Sequence, residues 1–220
     1  MRRATGIAAF DLDGTLLRGR TVCEMLAVPC GRVAEIQAFE RSTTEFAVHA
    51  GRIAMAQWYR GISRDLLVEA LDSALWAPGA VSAVAELTRN GVEVVIASIT
   101  WSFAVELFAK RLGVSRYLGT ELLADGSIRH VWPRVKGAWL LEQANELSIP
   151  ADRIAAIGDS SGDTDLLRVA SLRVFVGDRV PADLTAVHHL PGDGLERVAR
   201  LILEAWGSPT NSGASAAVTE

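Results

Sequence analysis

Ile7 to Phe10 form a short, unbroken apolar run that stops at Asp11. That is the pattern of a buried strand whose end presents polar groups. From about Val22 to Asp72 the period changes. Met25 and Leu26 precede a break at Pro29, and Val33, Ile36 and Phe39 follow it at helical spacing, with no strand-like run. This stretch reads as a mostly helical insert. From Pro78 the chain alternates. Val81, Val84, Ala85 and Leu87 mark a helix stopped by Asn90-Gly91, a common helix end. Val92 to Ala97 is a strand ending at Ser98, and Phe103, Leu107 and Phe108 mark a helix closed by Gly113, with Ser102 as its N-cap. Glu121 to Trp132 reads as a hairpin around Asp125-Gly126, a pair that tolerates positive φ. Lys136 to Leu147 is a helix, Arg153 to Ile157 a strand before Gly158-Asp159, Asp163 to Val169 a helix and Arg173 to Val176 a strand. Asp193-x-x-Glu196 has the form of a capping box opening a last helix to Trp206.

Strand and helix alternating after an early strand imply an α/β fold, a Rossmann-like, doubly wound parallel sheet. The expected core is residues 1–16 and 78–206, with residues 17–77 inserted after the first strand. Residues 207–220 are small and polar and are expected to be a disordered tail. Ligands of such sheets bind beyond the carboxyl ends of the strands. Asp11, Ser98 and Asp159 each fall at such an end, so they are expected to converge.

The acidic pair Asp11 and Asp13 lies where the first strand ends, and Gly14 permits a sharp turn there. Crowded carboxylates raise one another's pKa, and a hard dication such as Mg²⁺ relieves the repulsion. Gly158-Asp159-Ser160-Ser161-Gly162-Asp163 offers a second pair, with Asp163 also a helix-capping candidate. Together they would make a four-carboxylate cation pocket. A phosphate would then need a positive group, and Lys136, one of two lysines in the chain, opens a helix, an unfavourable end for a cation. Ser98 ends its strand with a hydroxyl.

Composition narrows the classes. The chain has 220 residues, of which 50% are hydrophobic and 22% charged, with a net charge of -4 and a pI near 5.6. A large core is feasible, and the basic footprint of a nucleic-acid binder is missing. Cys23 and Cys30, seven residues apart in a helical pattern, would lie ~10 Å apart, too far for a disulfide. Reduced thiols fit the cytoplasm. Met1-Arg2-Arg3 resembles a signal peptide's charged start, but the apolar stretch from Gly6 to Phe10 is too short for export. No apolar run approaches the ~18 residues of a membrane span, so no membrane partner is expected.

The ordered set Asp11-Leu12-Asp13-Gly14-Thr15, Ser98, Lys136 and Gly158 to Asp163 resembles the four motifs of the haloacid dehalogenase (HAD) superfamily. The insert resembles its helical cap. The hairpin before Lys136 and the interval from Lys136 to Asp159 look most like its phosphoserine phosphatase branch. The resemblance implies a Mg²⁺-dependent phosphomonoester hydrolase with an aspartyl-phosphate intermediate. In it Asp11 is the nucleophile and Asp13 the general acid and base. Ser98 and Lys136 hold the phosphate. Asp11, the backbone carbonyl of Asp13 and Asp159 bind the metal, and Asp163 acts behind them. Asp13 argues against dehalogenation, because a halide leaves without a proton and an alkoxide does not. Specificity is expected at Arg18, Arg20, Ile99 and Thr100. Ile99 and Thr100 stand where two glycines are typical of the phosphoserine branch, and Arg20 stands near a typical acid. No clear counterpart of that branch's cap arginine is evident, with Arg52 and Arg60 nearby. The expected substrate is therefore a small phosphomonoester other than phosphoserine. Phosphoserine itself and phosphotransfer or mutase chemistry are the alternatives. A monomer or homodimer is expected. A receiver domain is excluded by length, and Trp58 and Tyr59 read as helix packing, as His188-His189 reads as a strand end.

Overall fold

The computed structural model describes residues 4–42 and 44–207, so the expected disordered tail past Gly207 lies outside the described residues. The first strand, β1 (Gly6–Phe10), is followed by β2 (Leu17–Arg18) and four helices: α1 (Val22–Cys30), α2 (Val33–Phe39), α3 (Glu45–Tyr59) and α4 (Arg64–Leu71). Then come β3 (Leu75–Trp76), α5 (Ala80–Arg89), β4 (Val92–Trp101), α6 (Ser102–Leu112), β5 (Arg116–Leu122) and β6 (Ile128–Arg129). The chain closes with α7 (Pro133–Glu146), β7 (Ile154–Gly158), α8 (Thr164–Arg168), β8 (Leu172–Phe175), β9 (His188–His189) and α9 (Leu195–Ala205).

The main sheet has the order β6-β5-β4-β1-β7-β8-β9. Its pairs are parallel except β5 with β6. Side chains alternate across it as a strand's two-residue period requires. Ala8 and Phe10 face a core built with α5, α6 and α9. Ile7 and Ala9 face the opposite layer, made with Leu140 and Ala144 of α7 and Leu166 and Leu167 of α8. Both faces are covered, which is why these strands read as continuous apolar runs. The four helices α1 to α4 leave and rejoin the body through β2 and β3, an antiparallel pair that seats Leu17 opposite Trp76.

Four expectations are corrected. β4 does not end at Ser98 but runs on to Trp101, because pairing with β5 shifts register between Ala97 and Trp101 and resumes at Thr120. β5 starts at Arg116, five residues before the expected hairpin, because it first pairs with β4. Ser102 is the first residue of α6 rather than its cap, which is Trp101. Asp193 and Glu196 do not form a capping box on α9. Glu196 instead accepts from Ser82 Oγ at 2.7 Å and Asp193 from Arg197 Nη1 at 2.9 Å.

Candidate active site

Sheet register brings the motifs together. Phe10 pairs with Ile96 on one side and with Ile157 on the other. Asp11 is one residue beyond that row, and Ser98 and Asp159 are two beyond it. All three therefore lie within one residue of each other along the strands, just past the carboxyl end of β1, although β4 itself continues beyond Ser98. They line a cavity of about 380 Å³ together with Asp13, Lys136 and Asp163. That size suits a small metabolite.

Lys136 sits in the first turn of α7 and is 1% exposed. Its Nζ donates to Asp11 Oδ1 at 2.8 Å and also to Asp163 Oδ1. Burial alone would lower its pKa, but Asp11 and Asp163 hold it above the ordinary lysine value. Asp163 does not cap α8 with its side chain. Its Oδ2 accepts the backbone N–H groups of Asp159 and Ser160, each at 3.1 Å, which shapes the loop after β7. Asp159 Oδ1 accepts from Thr15 Oγ1 at 3.0 Å. Gly14 has φ +82, and a Cβ there would collide with the Asp159 carboxylate. The turn therefore needs glycine twice over, for its conformation and for its closeness.

Candidate ligand oxygens of Asp11, Asp159 and Asp163 all lie within 4.8 Å of one another. Burial pushes the Asp159 carboxyl up to about 6, with the Asp163 charge adding to it. Burial, then Asp163, also raises Asp11 well above the usual carboxylate range. One lysine does not offset three crowded carboxylates, and a hard divalent cation fits this oxygen set. The Asp13 carboxylate is separate from that group. Its Oδ1 accepts the Val22 N–H at 2.8 Å, in the first turn of α1. Burial lifts it to about 7, although that hydrogen bond pulls the other way. A carboxyl that keeps a proton near neutrality is a competent general acid.

Ser98, Ile99 and Thr100 all line the cavity. The Thr100 N–H donates to Ser98 Oγ at 3.3 Å, and Thr100 Oγ1 lies 3.7 Å from Cys23 Sγ. Arg18 and Arg20 do not line it. Arg18 donates to the Gly14 carbonyl and Arg20 is exposed. Arg18 is half-buried and its charge pulls the Asp159 carboxyl down, so it remains close to the site without lining it. Among the other residues that line it are two charged ones without an assigned role in the sequence, Glu40 at the end of α2 and Arg52 on α3. Arg52 is 4% exposed and has no carboxylate partner among the described residues. Its helix period places it on the buried face with Met55, Ala56 and Tyr59, a signal that a buried arginine would be functional. A second cleft, lined mainly by apolar residues such as Leu67, Leu71, Phe103 and Leu107 with Arg64, Glu106 and Lys110 among the rest, holds no such convergence.

A family model described as haloacid dehalogenase-like hydrolase matches residues 8–168. Phosphoserine phosphatase SerB2 of Mycobacterium tuberculosis is 26% identical over 183 residues, covering 78% of this chain and 44% of that protein. The chain thus spans less than half the length of that relative. A phosphoserine phosphatase of Albidiferax ferrireducens is 24% identical over 212 residues, covering 89% and 88%. A solved phosphoserine phosphatase carrying a phospho-aspartyl intermediate analogue shares the fold, with a TM-score of 0.75 at 17% identity and coverage of 90% and 99%. No helix among the described residues is long and apolar enough to cross a membrane.

Proposed function

The chain belongs to the haloacid dehalogenase-like hydrolase family, and we propose that it is a Mg²⁺-dependent phosphatase of small phosphomonoesters working through an aspartyl-phosphate. The observation that carries this reading is the convergence of Asp11, Lys136 and Asp159 on one cavity, with Asp13 beside them, its carboxyl lifted by burial to about 7.

In the first step an Asp11 carboxylate oxygen attacks phosphorus and the bond to the ester oxygen breaks. Asp13 gives its proton to the departing alkoxide. In the second, water attacks phosphorus, Asp13 takes the water's proton, and the bond to Asp11 breaks to release inorganic phosphate. Lys136 and Ser98 hold the non-reacting phosphate oxygens and stabilise their charge. Asp11, Asp159 and the Asp13 carbonyl would hold the metal, with Asp163 orienting Lys136 behind them. The bound Mg²⁺ would neutralise charge on the phosphate and keep Asp11 ionised for attack. Residues 1–16 and 78–206 form the catalytic body in this reading, and 17–77 its cap, hinged at β2 and β3. Free Cys23 and Cys30 support a reducing, cytoplasmic setting.

A narrower reading takes phosphoserine as the substrate. In its favour is Arg52, a buried guanidinium at the cavity without an acidic partner. Its hydrogen bonds go to neutral acceptors and Glu40 acts on it without an ion pair, so a substrate carboxylate would supply the charged partner that a buried cation favours.

The test is a phosphomonoester panel assayed with and without Mg²⁺. Phosphate release should require the metal and vanish in Asp11→Asn. Undiminished turnover by that variant would exclude the covalent route. Product analysis with added acceptor alcohols separates hydrolysis from phosphotransfer.

A further inference from the structure

Arg52 is not held by an acid, and what does hold it is unusual. Its Nη1 donates to Thr120 Oγ1 on β5 at 2.5 Å and to His130 Nδ1, just after β6, at 3.1 Å. Its Nη2 donates to the Ile99 carbonyl. The Thr120 hydroxyl is fully committed, donating to the Ile99 carbonyl at 2.9 Å and accepting the Val131 N–H at 3.0 Å. Behind His130, its Nε2 lies 2.6 Å from His49 Nδ1 on α3.

These contacts fix the protons. A guanidinium only donates, so His130 Nδ1 must be bare. Neutral His130 then carries its proton on Nε2 and gives it to His49 Nδ1, which leaves His49 protonated on Nε2. The order Arg52 to His130 to His49 is the one assignment in which both ring contacts pair a donor with an acceptor. A second proton on His130 could sit only on Nδ1, facing the guanidinium.

We propose that His130, backed by His49, is a positioning residue that aims Arg52 into the substrate cavity and does so only in its neutral, Nε2-protonated form. The proposal rests on reading the cavity as a phosphomonoester site in which Arg52 meets a second anionic group. Arg52 keeps donors to spare: of its five N–H groups, three are engaged by these contacts. The other two are left for an anionic group in the cavity that Arg52 lines, and the three contacts set the plane of the guanidinium that presents them.

The surroundings favour the neutral ring. Burial, then the charges of Arg52 and His49, lowers His130 to about 4, with Glu45 of α3 opposing. Glu45 is itself engaged by Arg134 of α7. The ring stacks on Trp132 with centroids 4.8 Å apart and an interplanar angle of 14°. Around Arg52 the facing titratable groups are Cys23, Glu40 and Tyr59. Cap helix and hairpin thus meet at one seam, and the substrate-facing cation is mounted on it.

The experiment compares O-phosphoserine, which carries a carboxylate, with p-nitrophenyl phosphate, which does not, in wild type, His130→Leu and His130→Asn. In His130→Leu the KM for O-phosphoserine should rise about tenfold, the loss of about one charge-assisted hydrogen bond, with kcat nearly unchanged. Both constants for p-nitrophenyl phosphate should stay within about twofold. His130→Asn, whose side-chain oxygen can still accept from Arg52, should recover most of the loss. Equal effects on both substrates, no effect on either, or a wild type that gains nothing from the carboxylate would overturn the proposal. Long-range ¹H–¹⁵N spectra of the labelled full chain give a readout independent of activity. They should show His130 as the Nε2–H tautomer, still neutral at pH 5.5. An Nδ1–H tautomer, or titration near 6.5, would also overturn it. Phosphate release from neither substrate by the wild type would instead defeat the phosphatase reading, and the spectra would still decide the positioning of Arg52.

Discussion

As the proposed general acid, Asp13 needs a proton to give, and its surroundings provide for that. Burial is the dominant influence and lifts it to about 7, while the Val22 N–H bond works against the shift. Asp13→Asn would keep an acceptor for Val22 and lose the proton donor. Its kcat on alkyl phosphates should fall about 10²–10⁴-fold, the usual worth of a general acid. On p-nitrophenyl phosphate, whose leaving group departs without a proton, the loss in the first step should be much smaller. Pre-steady-state bursts with the two substrates would check this, and equal losses would remove Asp13 from the role of acid. The acidic pair was legible in the sequence because it directly follows an apolar run, so its position depends on local chain geometry alone. Arg52 was legible only as an arginine on the buried face of its helix, and Glu40 was not legible as a site residue at all. Both belong to helices whose orientation over the sheet is set by packing, and spacing alone does not say that the buried face meets the cavity. Arg18 and Arg20 part company here: Arg18 stays beside the turn at Gly14, where its charge acts on Asp159, whereas Arg20, just past Gly19 at φ +82, is exposed.

At the level of elements, α7 carries a cation into the wrong end of a helix. The partial positive charge of a helix N-terminus disfavours Lys136 in the first turn, and Asp11 and Asp163 compensate for it. Replacing Lys136 by Met keeps the length of the side chain and leaves two buried carboxylates facing each other. Breaking such a pair costs about 3–5 kcal/mol. The melting temperature of Lys136→Met should therefore drop in the metal-free protein and recover in part when Mg²⁺ is added, with phosphatase activity lost throughout. An unchanged melting temperature in scanning calorimetry would show that the lysine is not what relieves the cluster. Element identity was largely legible: helices α5 and α6 end at Asn90 and Gly113 as their stop signals require. The extension of β4 was not legible, because a register shift is a property of two strands and neither sequence alone encodes it. The same holds for α9, where Glu196 has the capping spacing and is drawn instead to Ser82 across the helix pair.

For the whole molecule, the cavity is an unbalanced charge that links stability to both metal and pH. In the metal-free protein Asp159 keeps its proton up to about pH 6, whereas in an unfolded chain it would ionise near 4. Asp11 is shifted in the same direction. Between these values the native state holds more protons than the unfolded state, so stability falls as pH rises through the window. A dication that takes the place of those protons binds more tightly as pH rises. Binding at about a hundredfold excess over Kd stabilises by about 2.7 kcal/mol, equivalent to about 5–10 °C in a chain of this size. The upward shift of Tm with saturating Mg²⁺ should therefore be of this order at pH 7.5 and much smaller at pH 5, where a proton already competes for Asp159. Asp159→Asn removes one raised carboxylate and one ligand together. It should raise the Tm of the metal-free protein at pH 7.5 and shrink the Mg²⁺ shift at the same time. Parallel melting curves at the two pH values would test both statements, and a Mg²⁺ shift independent of pH would mean that the metal is held elsewhere than at these carboxylates.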